Sequence, residues 1–160
     1  MKYTLKRSTS FILDYESKFN IKKIELEGEA LVDFLYKVLV DVMSESLDPD
    51  LAGKTPEIYL KRLQEGALGD FTKRYIIAAG DNEKTIGILI GLPDSTEKGG
   101  FHIFSLGTSP CYRGKGICTA LISRCIEELR NDGYTNIILD VHLDNTPAFQ
   151  LYKKLGFNRF

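Results

Sequence analysis

From Phe101 to Leu155 the hydrophobic period of the chain changes four times, and the order of those changes leaves few folds open. Phe101-His102-Ile103-Phe104-Ser105-Leu106 reads as a strand running on to Thr108. Tyr112-Arg113-Gly114-Lys115-Gly116-Ile117-Cys118 follows as a short turn of glycines and cations. Gly114 to Asn131 then places Ile117, Leu121, Ile122, Cys125 and Leu129 on one helical face, with Gly133 as its C-cap. Asn136 to Val141 is almost continuously apolar, as a strand covered on both faces is. Asn145-Thr146-Pro147 caps a last helix through Leu155, and Gly156 ends it. Two strands joined through a helix are most simply parallel, with a right-handed crossover.

The first hundred residues add the remaining layers. Leu31, Phe34, Leu35, Val38, Leu39 and Val42 keep a helical period over 29–45, and Ser46 to Asp50 ends that helix. Thr55-Pro56 starts a second helix, which runs to about Glu65 and stops at Gly66. Lys73–Ala79 and Thr85–Leu92 are β-rich runs joined by the turn Gly80-Asp81-Asn82-Glu83, a hairpin. Ile21–Leu26 is a further strand, and Tyr3–Lys6 and Ser10–Leu13 are short strand candidates. The expected class is α/β with a mixed sheet, as one domain over 1–160.

A strand that empties into a glycine turn and then a helix is an anion trap. Glycines let successive N–H groups point into one concavity, and the helix adds its positive dipole end. The turn is not a Walker loop, because the GxxxxGK[ST] spacing is absent. It is not a full GxGxxG either, since Thr119 stands where the third glycine belongs. Asp140 does fall near the end of the next strand, but no second βαβ half follows, so dinucleotide binding is disfavoured.

Charge narrows the partners. The net charge is −1, which gives no bias toward nucleic acid or a membrane surface. No run approaches the about 18 apolar residues of a membrane span, and Asp14 and Glu16 interrupt any signal-peptide core, so a cytoplasmic protein is expected. Cys111, Cys118 and Cys125 form no CxxC and have no paired histidines, so neither a disulfide framework nor a metal site is expected. Residues 25–70 hold eleven acidic side chains against Lys37, Lys54, Lys61 and Arg62. This block is either a solvated face or a funnel for a cationic substrate.

At Arg113-Gly114-Lys115-Gly116-Ile117-Cys118 the sequence resembles the GCN5-related N-acetyltransferase (GNAT) superfamily, whose acetyl-CoA signature is Arg or Gln, two residues, Gly, one residue, then Gly or Ala. Leu106-Gly107-Thr108-Ser109-Pro110 resembles the family's end-of-strand segment. Leu139-Asp140-Val141, Asn145, Ala148, Leu151-Tyr152 and Lys154-Leu155-Gly156-Phe157 resemble its second signature. The likeness is strong over 101–157 and loose over 21–100.

The resemblance implies a central sheet, flanked by helices, that splays open between the strands at 101–108 and 135–142. Pantetheine would take backbone bonds from Leu106 and Thr108, beside Gly107, and the diphosphate would sit on amides from Gly114 through Lys115, Gly116, Ile117 and Cys118 to Thr119. Arg113 and Lys115 either add charge there or are only solvated. Asn145 is implied as a binding and capping residue. The implied reaction is acetyl transfer from acetyl-CoA to the amine of a small molecule or peptide. Tyr152 is implied as the acid that protonates the leaving thiolate. Asp140 and His102 are implied as candidate bases, His142 is a weaker one, and a chain of waters is the alternative. No metal takes part.

Two departures accompany the resemblance. Cys118 replaces the usual Gly or Ala, and it is open to oxidation or to a mixed disulfide with CoA. The chain also ends at Phe160, short of two further family strands. Either residues 1–20, an atypical extension, supply a strand there, or the protein dimerises. A shortened sheet also admits a second reading, a CoA-sensing or interaction module of the same fold.

Overall fold

The computed structural model describes residues 1–44 and 54–160. The chain runs β1 (Lys2–Ser8), β2 (Asn20–Lys23), α1 (Gly28–Met43), α2 (Glu57–Gln64), β3 (Tyr75–Asp81), β4 (Lys84–Pro93) and β5 (Gly100–Thr108). It continues with α3 (Ile117–Asn131), β6 (Asn136–His142), α4 (Thr146–Lys154) and β7 (Asn158–Arg159). The strands form one sheet in the order β2-β3-β4-β5-β6-β1-β7. Among the described residues only the β5–β6 pair is parallel, and α3 makes its crossover.

The sheet is covered on both faces. Leu31, Leu35, Val38 and Leu39 of α1 and Leu60 and Leu63 of α2 bury against Ile76, Ile88 and Ile90. On the other face, Leu121, Ile122, Cys125 and Leu129 of α3 bury against Ile77, Leu89, Phe101 and Leu139. The 3.6-residue pattern and the strand alternation therefore meet in two apolar layers. The helix beginning at Thr55-Pro56 starts one residue later than its sequence suggests, with Pro56 at the cap position and no side-chain cap bond. The predicted end of α1 at Ser46–Asp50 lies outside the described residues.

The strand beside β6 comes from the start of the chain. β1 pairs antiparallel with β6 from Lys2–His142 to Ser8–Asn136. Its other edge takes β7 at Leu5–Arg159 and Lys6–Asn158. Leu5 is fully buried, and the buried Arg7 donates from Nε to the carbonyl of Leu155 at 2.6 Å. Of the two ways to complete the sheet, a strand from residues 1–20 is the one the structure holds. Ser10–Leu13 is not a strand. The chain there leaves the sheet and crosses the outside of α3, where the Ser123 hydroxyl donates to the Leu13 carbonyl at 3.0 Å. A segment lying on a helix has no ladder neighbour, and Phe11 and Ile12 stay exposed.

Candidate functional site

The β5–β6 ladder begins at Gly100–Asn136 and stops at Ile103–Leu139. Beyond that point the two parallel strands diverge. A bulge prepares the opening: Ile90 faces Ser105 while Gly91 faces Ile103, so Phe104 is the extra residue on β5. The bulge rephases the strand. Phe104 and Ser105 both turn to the α1/α2 face, where the Ser105 hydroxyl donates to the Tyr59 hydroxyl at 2.5 Å, and Leu106 turns to the α3 face.

A cavity of about 860 Å³ fills the gap. Its walls include Leu106, Gly107 and Thr108 of β5, Asp140 and His142 of β6, Asn145 at the cap of α4, and Tyr152 on that helix. Arg113, Gly114, Gly116, Ile117, Cys118 and Thr119 close one end. Lys115 and His102 do not border it. Every other site residue expected from the sequence does.

The closed end is built from backbone. Gly114 and Gly116 both have φ of 77°, a conformation that costs an L-residue and that glycine adopts freely. Gly116 caps α3, and no side chain caps that end, so the first helical amides are available to a ligand. The first intrahelical bond runs from the Ala120 amide to the Gly116 carbonyl. Arg113 is more than a solvated cation. Its Nη2 donates to the Ser44 carbonyl at 2.9 Å, tying the turn to the C-terminal end of α1. Lys115 is exposed.

Cys118 is half-buried on the cavity wall. Burial pushes its thiol up to about 11 against the opposing pull of Arg113. A raised pKa keeps its thiolate scarce near neutral pH, which slows the mixed disulfide that the sequence leaves open. Cys125 is fully buried among α3 core residues.

Tyr152 lies on α4 with its ring nearly buried, edge-on to Phe157 at 5.9 Å between centroids. Asn145 caps the same helix, its Oδ1 accepting from the Ala148 amide at 3.4 Å. The cap fixes the first turn of α4, and the phenol follows two turns later on the cavity side.

Asp140 and His102, offered by the sequence as rival bases, are neighbours. His102 Nε2 is 3.3 Å from Asp140 Oδ2, and its ring stacks on Phe104 with centroids 4.3 Å apart. Burial alone would lower the imidazole pKa, but hydrogen bonding and charge from Asp140, then Asp94, outweigh it and the net direction is upward. The His102 contact holds the Asp140 carboxyl below its ordinary range, against burial and with help from Thr4. The Thr4 hydroxyl donates to Asp140 Oδ1 at 2.7 Å. His142 borders the cavity, and its Nδ1 accepts from the Asp144 amide at 3.1 Å.

Sequence reasoning missed Thr4, Lys2 and Asp94. Thr4 and Lys2 reach the site on β1, and no local signal ties them to a motif 136 residues away. Asp94 had a readable signal: Asp94-Ser95-Thr96-Glu97 is an Asx turn, with Asp94 Oδ2 accepting from the Thr96 and Glu97 amides. Of the acidic block, Glu45, Asp48 and Asp50 lie outside the described residues. Glu57 is exposed on α2, away from the cavity wall, and accepts from the Tyr36 hydroxyl at 2.9 Å. Among the described residues no helix is long and apolar enough to cross a membrane.

The comparisons agree with this geometry. Residues 39–157 match the Acetyltransferase (GNAT) family, and the chain belongs to it. Human N-acetyltransferase 8B is 30% identical over 135 residues, covering 76% of this chain and 60% of that protein. N-acetyltransferase 8F1 of Rattus norvegicus is 29% identical over 118 residues, covering 68% of this chain and 53% of that one. The chain thus spans little more than half the length of these relatives. In fold, it is similar to a GCN5-related N-acetyltransferase from Sphaerobacter thermophilus, with a TM-score of 0.71 at 19% identity, covering 99% of this chain and 48% of that one. The ribosomal-protein-S18-alanine N-acetyltransferase of Escherichia coli gives a TM-score of 0.65 at 18% identity, covering 88% and 77%.

Proposed function

We propose that this protein is an acetyl-CoA-dependent N-acetyltransferase acting on a primary amine of a small molecule or peptide. The observation that carries the reading is the cavity where β5 and β6 part, with a glycine turn at one end and Asp140 and Tyr152 on its walls. The residues present fit the co-substrate. The unpaired β6-facing edge of Phe104–Thr108 can bond an extended amide chain, and the leading amides of α3 suit a diphosphate.

Acetyl-CoA supplies an activated thioester, and the protein supplies position and protons. An amine must shed a proton before it can attack, and Asp140 on the cavity wall takes it and passes it to His102, 3.3 Å away. Backbone N–H groups at Leu106 to Thr108 stabilise the oxyanion that follows. Tyr152 then donates its phenolic proton to the departing thiolate.

Acetyl transfer to an amine panel, followed by thiol release, tests the reading. Tyr152→Phe should lower kcat by about 100-fold or more while leaving CoA affinity unchanged. A folded protein that binds acetyl-CoA and acetylates no amine would sink it. The pH dependence has a definite sign. His102 accepts a proton only when neutral, and its pKa is raised, so the rate should climb with pH through a midpoint above the ordinary imidazole value of 6.5.

The acceptor reading draws on relatives only in outline. One is named N-alpha-acetyltransferase 30, from Schizosaccharomyces pombe, 34% identical over 84 residues. The sensor alternative was motivated by an incomplete sheet, and β1 now occupies that place.

A further inference from the structure

We infer that the acceptor amine carries a carboxylate close to its amino group, as a free amino acid does, and that Lys2 and Arg62 hold this carboxylate while Asp140 meets the amine. The inference rests on the proposed acetyl transfer and names its substrate class. Its ground is the charge pattern on the α1/α2 side of the cavity.

Two elements carry that side. Leu139 and Val141 of β6 pack toward α3, so Asp140 and His142 alternate to the opposite face of the sheet. In the β1–β6 ladder Lys2 stands opposite His142 and Thr4 opposite Asp140. Residues directly opposite share a face, and the Thr4 bond to Asp140 agrees. Lys2 is therefore on the same face as Asp140. Across the gap, Tyr59 and Arg62 are three apart on α2 and both border the cavity. The bond between the Ser105 and Tyr59 hydroxyls fixes α2 to the bulge of β5.

Among the described residues that border the cavity, Asp140 is the one carboxylate, against Lys2, Arg62 and Arg113. Arg113 belongs to the glycine turn and is tied to the Ser44 carbonyl. Lys2 is close enough to Asp140 for its charge to act on that carboxylate. Arg62 is exposed, so it stands where the cavity opens to solvent. The co-substrate needs neither of these two cations. Its pantetheine arm and acetyl group are uncharged, and its diphosphate is served by the leading amides of α3.

A zwitterion fits this arrangement. Its ammonium meets Asp140, and its carboxylate meets the ammonium of Lys2 and the guanidinium of Arg62. A polyamine would set a second cation against the same two groups, a repulsion of like charges. A peptide N-terminus brings no carboxylate close to its amine. The sign is the reverse of a funnel for a cationic substrate, and none of the described acidic residues in 25–70 borders the cavity. During transfer the amine N–C bond forms, the thioester C–S bond breaks, and the acceptor's carboxylate is untouched.

The test is thiol release from acetyl-CoA by the full chain with matched acceptors: the common amino acids, their α-amides, a tripeptide and spermidine. For the best acceptor, kcat/KM of the free acid should exceed that of its amide by about tenfold or more. The preference would run against intrinsic reactivity, because an amide lacks the carboxylate that keeps the neighbouring amine protonated. Arg62→Gln and Lys2→Gln should each raise KM for the acid and bring the acid-to-amide ratio down toward one. A merely structural role would lower both rates alike and leave the ratio in place. Titration with acetyl-CoA reports that each variant is folded, and the acceptor comparison in the unmodified protein needs no variant. An amide, the tripeptide or spermidine used as well as the best free acid would overturn the inference and leave acetyl transfer to an amine standing. An acid preference unchanged in both variants would overturn the role of Lys2 and Arg62. Acetylation of no acceptor at all would remove the proposed function, and the inference with it.

Discussion

Gly116→Ala is expected to weaken acetyl-CoA binding by at least tenfold, measured by titration calorimetry. Position 116 has a φ of 77°, where an L-residue costs about 1–2 kcal/mol. A Cβ there would also lie 1.8 Å from the Tyr15 hydroxyl and 2.9 Å from its Cζ. The turn and the Tyr15 side chain cannot both keep their places. If the turn yields, the first amides of α3 leave the cavity. If Tyr15 yields, its exposed ring swings aside and only the backbone cost remains. About 1.4 kcal/mol of lost binding free energy is already a factor of ten. Gly114→Ala is the internal control. Its φ is also 77°, yet nothing lies within 4 Å of the new methyl, so only the backbone cost applies. Equal damage from both substitutions would show that the Tyr15 contact is irrelevant. Tyr15→Ala combined with Gly116→Ala should recover part of the loss.

The second large effect concerns stability. Removing residues 1–8 should abolish the cooperative thermal transition and leave an aggregating chain. The deletion strips a whole strand from between β6 and β7, together with the fully buried Leu5 and the Arg7 bond to Leu155. Leu5→Ala alone should cost about 2–5 kcal/mol, a large part of the about 5–15 kcal/mol that holds a typical domain together. A truncated protein that stays monomeric and melts near the full-length temperature would show that β1 is dispensable. A synthetic peptide of residues 1–8 should restore the transition when added back.

The second half of the chain was legible because its signals are local. Each element between 100 and 155 carries its own period and its own punctuation: Asn145 caps α4 and Gly133 follows the Asp132 cap of α3, although α3 starts at Ile117, three residues later than its period suggests. The residues around the cofactor end were legible for the same reason, since backbone amides at a glycine turn need no distant partner. What stayed hidden depends on distance or on register. The bulge at Phe104 leaves no mark in a sequence that simply continues apolar, yet it turns Ser105 toward Tyr59. The contact of His102 with Asp140 depends on how far two strands stay paired before they part. The partner of Asp140 on its other side, Thr4, belongs to a strand whose short pattern resembled Ser10–Leu13 in strength. Tertiary pairing separated them: one met β6, and the other met the side of a helix.

The place of β1 also sets an order of events during synthesis. Thr4 leaves the ribosome 136 residues ahead of its partner Asp140. The pairings of β2 with β3, β3 with β4, β4 with β5 and β5 with β6 can form while β1 waits. Contacts of such long range are slow to close, and a waiting strand is open to wrong partners. The nascent protein therefore becomes whole, and its Asp140 carboxylate acquires its Thr4 donor, only after β6 has emerged.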